Sequence, residues 1–574
     1  MLASDRSRLG DHYDVVIIGS GYGGAICAAR LGCANARAGH PLRIALLERG
    51  DEHPTGRFPD TPAGFFSQLR HPERNPLGLY ELLSHPTVDV MQGCGLGGTS
   101  LINASVALAP DREVFASGWP RALREEAERG RLDDYYQRAR HMLDPVPFAT
   151  GRPFAKVPVF GEVARAAGGH VQALDLTVSR EARVTRFGVQ RDACKSCGDC
   201  ITGCNFGGKN TVATNYLPMA RHFGVDLFVR LEVDHIEACP GGGYRLIVRD
   251  RGAHAPGPLP FPVPGPVHEE TRTLVARRVI LSAGVLGTAG ILLRSAAAGL
   301  RLSGRLGHGF SGNGDFLAVA YNTDHVTDIQ GLGQEARGGD GAAGPTITVG
   351  LRLGEGEGDL RRRFTVQDLG SPSALVGFFR LGILSLAALE GGAALRGPRH
   401  FVRWLHDLVP NGTGAFNRTL GLLIMGHDGA AGRLHLRTDG SVSIEWPDAA
   451  RDTIYAEVNA MLERTMPAVG GTYIVDPLSR YRALGQRLVT AHPLGGCITA
   501  DDADHGAVDH RGRVYAEDGR VLEGLYVSDG SVIPRALGVN PFLTISAFTE
   551  RMVEHLREEL GLPAYDEALE RDDR

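Results

Sequence analysis

Charge of one sign is missing from this chain. Its 574 residues carry 61 basic against 66 acidic side chains, a formal net charge of −5, and the basic residues, mostly Arg, are scattered among the acids. No run of Lys and Arg with interleaved aromatics occurs, so the electrostatic footprint of a nucleic-acid binder is absent. Long hydrophobic runs are missing too. The longest, LVGFFRLGILSLAAL (375–389), is interrupted by Arg380 and is too short to span a bilayer. The polar start, MLASDRSRLGDHYDVVIIG, holds no apolar signal-peptide core and leads directly into a β-branched stretch. Cysteine is sparse, with nine residues, and four of them crowd into 194–204. That distribution suits metal or thiol chemistry in a reducing compartment better than a secreted disulfide framework. The expectation is a cytoplasmic protein with no nucleic-acid partner and no transmembrane segment. A chain of this length, 43% hydrophobic and 22% charged, buries a large core without cross-links, which excludes global disorder.

Glycine is what the chain has in quantity: 77 residues, spread over several turns rather than gathered in one linker. Tyr13 to Gly24 reads YDVVIIGSGYGG, followed by the helical pattern AICAARLGCANARAG and a second apolar run, RIALLERG, which ends at Glu48. This is a βαβ unit carrying GxGxxG at Gly19, Gly21 and Gly24. The first glycine permits a tight turn, the second lets backbone approach a pyrophosphate, and the third lets helix and strand pack closely. Glu48 stands where a carboxylate bonds a ribose hydroxyl. The unit predicts a bound dinucleotide and leaves FAD and NAD both open.

Further along, VARRVILSAGVLGTAGILLRSA repeats strand, glycine turn and helix, and residues 121–142 read as polar helix. Residues 239–271 are rich in Pro and Gly and predict a hairpin excursion. Between about 320 and 480 the pattern alternates (TITVGLRL, LGLLIMG, GRLHLRTDG, SVSIEW), which predicts a mixed or antiparallel sheet. Residues 372–410 read as helices with much apolar surface, a greasy pocket wall or lid, or an ordinary buried helical pair. The end returns to strand, turn and a final helix.

Four blocks follow the fingerprint in order: GCGLGGTSLINAS (93–105), LSAGVLGTAGILLRSAAAGL (281–300), AHPLGGC (491–497) and LYVSDGSVIPRALGVNPFLTISA (525–547). Together they resemble the glucose–methanol–choline oxidoreductase family, and within it the cholesterol-oxidase-like branch. The resemblance covers nearly the whole chain and is weakest from 320 to 480. It implies an α/β fold: a discontinuous Rossmann-like FAD-binding domain (1–125, 186–320 and 481–574) with an inserted α+β substrate domain (126–185 and 321–480) built on a mixed or antiparallel sheet. It also implies FAD, with Gly19, Gly21, Tyr22, Gly23, Gly24 and Glu48 around the ADP half and Val233 at the adenine. Gly97, Gly98, Ser100, Leu101 and Asn103 would line the flavin. Ala283, Gly284, Asp529, Gly530, Asn540, Pro541 and Phe542 would meet the pyrophosphate and isoalloxazine region. Some members tether FAD to a His just after the GG[CST]S turn. Here that place reads LIN, which implies a non-covalent flavin.

Oxidising an alcohol on a flavin requires the hydroxyl proton to be held or removed while hydride leaves carbon, a task suited to His near neutral pH. His492 in AHPLGGC and Asn540 in GVNPF match the family's catalytic His and Asn. Cholesterol oxidases of the family also carry an active-site Glu that moves a proton during double-bond isomerisation. The comparable stretch here, FNRTLGLLIMGHD, has no Glu and ends in His427 and Asp428, which read as a strand-end turn.

Cys194, Cys197, Cys200 and Cys204 give C-x2-C-x2-C-x3-C within the loop 194–204, the spacing of bacterial ferredoxin runs. Asn205 follows where those runs have Pro, and no second run exists. The spacing predicts a [4Fe–4S] or [3Fe–4S] cluster, with packed thiols, a disulfide pair or zinc as alternatives. The remaining cysteines read as small buried apolar residues.

The sequence thus predicts an FAD-dependent enzyme that oxidises a small hydrophobic, sterol-like alcohol to a ketone or aldehyde, passing electrons to O2 or an external acceptor. The alternatives are an iron–sulfur dehydrogenase of a sugar or polyol and a non-catalytic flavin–cluster relay.

Overall fold

The run HYDVVII forms strand β1 (His12–Ile18), whose apolar side chains are buried on both faces, the mark of a central parallel strand. At Gly19 (φ +95°) the chain turns into helix α1 (Tyr22–Asn35), buried along its whole length, and returns as β2 (Ile44–Leu47), parallel to β1. This is the βαβ unit expected from the sequence. A computed structural model describes residues 1–148, 153–252, 269–336, 342–389, 397–408, 414–475 and 487–565.

Strand β3 (Asp226–Phe228) extends the sheet beyond β2. Strands β4 (Leu231–Ala238), β5 (Tyr244–Asp250) and β6 (Glu270–Leu281) form an antiparallel meander whose last member runs parallel to β1. The hairpin excursion expected over 239–271 is therefore part of this meander, and residues 253–268 of it lie outside the described residues. Strand β6 turns at Gly284 into helix α2 (Gly284–Ala297), so the second strand–turn–helix pattern is also present.

Of the alternating runs, TITVGLRL and LGLLIMG fall in a second, antiparallel sheet, while GRLHLRTDG and SVSIEW form a separate three-stranded sheet with His308–Phe310. The strands of the second sheet are β7 (Phe316–Tyr321), β8 (Val349–Leu353) and β9 (Phe364–Leu369), followed after helices α3 (Val376–Leu389) and α4 (Pro398–His406) by β10 (Leu420–Met425) and β11 (Thr472–Val475). They lie in the order β11-β7-β10-β9-β8, with the two-residue strand Gln172–Ala173 beyond β8. The chain then rejoins the first sheet: β12 (Val521–Val527) pairs parallel with β6, and helix α5 (Phe542–Glu559) closes against α1. One apolar core runs without interruption from Val16 and Leu281 in the first sheet to Phe316 and Leu422 in the second.

The α1–α5 contact is fastened by a buried bidentate ion pair. Arg30 donates to both oxygens of Glu550 at 2.7 and 2.8 Å, and Tyr216 Oη donates to the same carboxylate at 2.8 Å. Among the described residues, no helix is long and apolar enough to cross a membrane.

Candidate active site

One continuous cavity starts at the turn after β1, passes between the two sheets and ends on apolar side chains of the second sheet. At its first end the glycines divide their labour. A Cβ on Gly24 would lie 1.9 Å from Gly19 O, and one on Gly23 only 1.6 Å from Ser528 O, so these two are required for packing. Gly21 has nothing within 4 Å of its would-be Cβ and faces the cavity. It caps α1 without a side chain, which leaves the first-turn N–H groups to an anion from outside. Glu48 also faces the cavity, held by Ser20 Oγ at 2.5 Å, Ser20 N at 3.1 Å and Gly50 N at 2.9 Å. Val233 and Arg49 complete this end. Arg49 pairs with Glu81, which Arg70 also contacts; burial works against the Glu81 charge, but the two guanidiniums outweigh it and hold the carboxyl down at about 2. A bare helix N-terminus, a Cβ-free approach and an adjacent carboxylate are the features that fit a dinucleotide.

In the middle, Tyr22 stacks on Phe542 with centroids 4.9 Å apart and accepts a hydrogen bond from Asn103 Nδ2 at 2.7 Å. Asp529, whose carboxyl is pushed up by burial, accepts from Gly284 N at 2.9 Å and Thr288 Oγ1 at 2.6 Å, fixing the start of α2 to the C-terminal loop. Gly98, Asn103, Ala283, Gly284, Gly530 and Pro541 line the wall. Ser100 and Leu101 lie behind it: Ser100 Oγ donates to Gly97 O at 2.6 Å, and Leu101 joins a separate apolar cluster. Thr99 and Ile102, three apart and so on one face of the 3-10 turn Gly98–Leu101, take wall positions instead, as do residues 104–106.

At the far end His492 and Asn540 both face the cavity, 48 residues apart in sequence and each braced by a partner the sequence did not single out. His492 Nδ1 lies 2.8 Å from Asp315 Oδ1, whose other oxygen accepts from Thr490 Oγ1 at 2.9 Å and Ala491 N at 3.0 Å. A neutral His492 that donates from Nδ1 to Asp315 leaves its Nε2 lone pair for the cavity. Gln367 on β9 donates from Nε2 to Asn540 Oδ1 at 2.7 Å, which leaves the Asn540 amide N–H groups for the cavity. The loop before Asn540 is pinned by Asn313, which donates to Val539 O and accepts from Leu537 N and Gly538 N.

His427 and Asp428 do not line the cavity. They support both catalytic loops from behind. Asp428 accepts from Ser311 Oγ and Gly314 N, shaping the turn into Asp315. His427, driven down to about 4 mainly by burial, sits against Gly538 and within 3.3 Å of Ala536 O. Asp315 was visible in sequence only as the last residue of a GNGD turn. Its partner lies 177 residues away, which no local pattern encodes.

Among the described residues, no group of three or more His, Cys, Asp or Glu is placed to hold a metal ion, and all four cysteines of the 194–204 loop are free thiols. The loop is consumed in packing against the second domain. Cys200 N donates to Thr346 Oγ1, Thr346 Oγ1 donates to Gly198 O at 2.6 Å, and Ser373 N donates to Asp199 at 2.6 Å. Burial raises the Cys194 thiol to about 12 and raises Cys197 and Cys200 as well. Lys209 ties the loop to the cavity wall, donating to Leu101 O, Asn103 O and Cys200 O. The loop's own contribution to the cavity is Ile201.

Comparison with known proteins agrees with this architecture. GMC oxidoreductase family profiles match residues 13–311 and 452–549. A cholesterol oxidase of Mycobacterium tuberculosis (strain ATCC 25618 / H37Rv) is 27% identical, covering 94% of this chain and 90% of its own. A cholesterol oxidase of Acinetobacter baumannii is 26% identical over 97% and 98%. A long-chain-alcohol oxidase of Arabidopsis thaliana is 23% identical over 93% of this chain and 66% of its own. Among solved structures, pyridoxine 4-oxidase from Mesorbium loti superposes with a TM-score of 0.60 at 15% identity, covering 95% of this chain and 99% of that one, and shares the fold. With the dinucleotide cradle, the His–Asn pair and profiles over both halves in agreement, this chain belongs to the GMC oxidoreductase family and is an FAD-dependent alcohol oxidoreductase.

Proposed function

We propose that this enzyme oxidises the hydroxyl of a hydrophobic, sterol-like alcohol to a ketone and passes the electrons to O2. The observation that carries the substrate class is the far wall of the cavity: Ile201, Leu317, Ile347, Leu369, Leu375 and Leu423 surround the space next to His492 and Asn540. A sugar or polyol would leave its hydroxyls without partners there, at a cost of about 1–3 kcal/mol for each buried group. The cholesterol and long-chain-alcohol oxidases among the relatives support both the substrate class and the acceptor.

FAD, when bound along the cradle from Gly21 to Asn540, supplies the hydride acceptor and the two-electron capacity. The protein's part is positional. His492 Nε2 accepts the substrate hydroxyl proton, and Asp315 stabilises the imidazolium that forms. Asn540 donates to the substrate oxygen and, being neutral, holds it without competing for the proton. The apolar wall excludes water, which strengthens both contacts. With both oxygens of Asp315 engaged and no Glu in the 416–428 stretch, neither offers a free carboxylate to move a proton along the substrate carbon skeleton. A Δ5-sterol should therefore leave as the unisomerised ketone.

The test is peroxide release by the FAD-loaded enzyme given a sterol, a long-chain primary alcohol or glucose. Stoichiometric peroxide and ketone with the sterol, and none with glucose, is expected. Preference for glucose overturns the substrate class. Reduction of the flavin by sterol without peroxide overturns the acceptor.

A further inference from the structure

Seven of the thirteen large apolar side chains exposed among the described residues fall between 378 and 408, on α3, α4 and the turn after α4. Phe378 is 61% exposed, and Leu381 and Leu408 are each 57% exposed, with Phe401, Val402 and Leu405 beside them in the same short span. The two helices are mounted on one place. Ile383, Leu386 and Ala387 of α3 and Trp404 of α4 pack on the same small cluster, with Tyr321 of β7 and Ile474 of β11. On α3 those inward positions place Phe378 and Leu381 on the opposite, solvent face by helical spacing, and on α4 Phe401, stacked on Trp404, and Leu405 are also exposed. A patch of this composition on a soluble fold marks a contact surface.

Its charges say what kind. Within 373–408 the described residues include Arg380, Arg399 and Arg403 with His400 and His406, against one carboxylate, Asp407; beside them Asp324 lies 3.8 Å from His400 Nε2, and Arg403 donates to Thr323 O. Asp407 is buried and engaged by Tyr321 Oη at 2.8 Å and by Phe416 N. Apolar helix faces fringed by cations, on a chain whose net charge is −5, match an anionic lipid surface: the apolar side chains enter the acyl boundary and the guanidiniums meet headgroups. The patch is continuous with the site. Phe379, its neighbour in sequence, and Leu375, just before α3, both line the catalytic cavity.

We infer that α3 and α4 form a peripheral docking surface for an anionic lipid bilayer, set at the mouth of the cavity so that a membrane-dissolved alcohol enters without crossing water. The docking half rests on the exposed residues alone, and the delivery half rests on the alcohol-oxidase reading.

The experiment is sedimentation of FAD-loaded enzyme with vesicles of phosphatidylcholine, with and without phosphatidylglycerol. Binding to the phosphatidylglycerol vesicles that weakens as salt is raised is expected. The F378S/L381S/F401S/L405S variant should bind at least about tenfold more weakly while retaining flavin, melting temperature and turnover of a detergent-dissolved alcohol. Wild-type enzyme that stays in the supernatant with every vesicle overturns the proposal without needing the variant. Equal binding by wild type and variant overturns it too. So does a wild-type dimer in vesicle-free buffer that becomes monomeric in the variant and binds no vesicle, because the face then serves a second copy. Vesicle binding by an enzyme that oxidises no alcohol leaves docking standing and removes the alcohol reading; turnover of dissolved alcohol without vesicle binding does the reverse.

Discussion

At the scale of single residues, the histidine proposed as the base is held by a partner, Asp315, far from it in sequence. Asp315 fixes the His492 tautomer through one 2.8 Å contact and is itself saturated by Thr490 and Ala491. Replacing Asp315 by Asn keeps the shape and removes the charge that stabilises the imidazolium. The D315N enzyme should keep its flavin and its KM, lose at least about tenfold in kcat, and reach its plateau at lower pH, because the imidazolium loses its stabilising charge. A flat change across pH would mean that Asp315 only packs. The glycines of the fingerprint make a second contrast. Gly21→Ala meets open space, so the variant should fold with an unchanged apo melting temperature and fail to retain FAD, whereas Gly23→Ala drives a methyl into Ser528 O and should not fold stably. His427 gives a pH signature. Its folded value of about 4 lies below the unfolded value near 6.5, so the unfolded chain binds the extra proton between the two. Its contribution is fully present above about 6.5 and falls by up to about 3 kcal/mol as pH drops to about 4. Urea titrations of wild type and His427→Gln should show the variant with the shallower slope in that window.

At the scale of elements, what was legible in sequence was local. The βαβ unit carries its turn, helix and terminal acid within a few dozen residues, and the alternating runs after 320 could only be strands of a half-covered sheet. The bracing was not legible. Gln367 reads as one polar residue in a strand, and its role exists only because β9 reaches Asn540 from 173 residues away. The packing of the cysteine loop was not legible either: its spacing describes how a chain could wrap a cluster, and nothing local encodes its contacts with Thr346 and Ser373. Purified enzyme should accordingly contain no stoichiometric iron or acid-labile sulfide. The α1–α5 lock is likewise non-local and equally testable. Glu550→Ala strands the Arg30 guanidinium in a site with no water, and should cost about 3–5 kcal/mol in denaturant melts.

At the scale of the whole molecule, the candidate site belongs to neither sheet alone. His492 and Asn540 come from the C-terminal return of the chain, their braces Asp315 and Gln367 from the start and the middle of the second sheet, and the dinucleotide cradle from the N-terminal strand. The cavity between them is therefore also the seam of the fold, and a ligand that fills it binds only the assembled state. Occupancy by FAD at about a hundred times its dissociation constant would add about 2.7 kcal/mol to global stability by mass action alone. Removing FAD should lower the melting temperature by a few degrees for a chain of this size, and adding it back should restore the value. The same linkage predicts where the apoenzyme loosens first. Hydrogen exchange should rise in residues 98–106, at the start of α2 and in the 529–542 loop, which face the cavity, and should stay unchanged in α1 and α5, which the Arg30–Glu550 pair holds without the cofactor. Uniform acceleration across both helices and the seam would instead mean that the domains depend on FAD for their own folding, and that the buried lock contributes little.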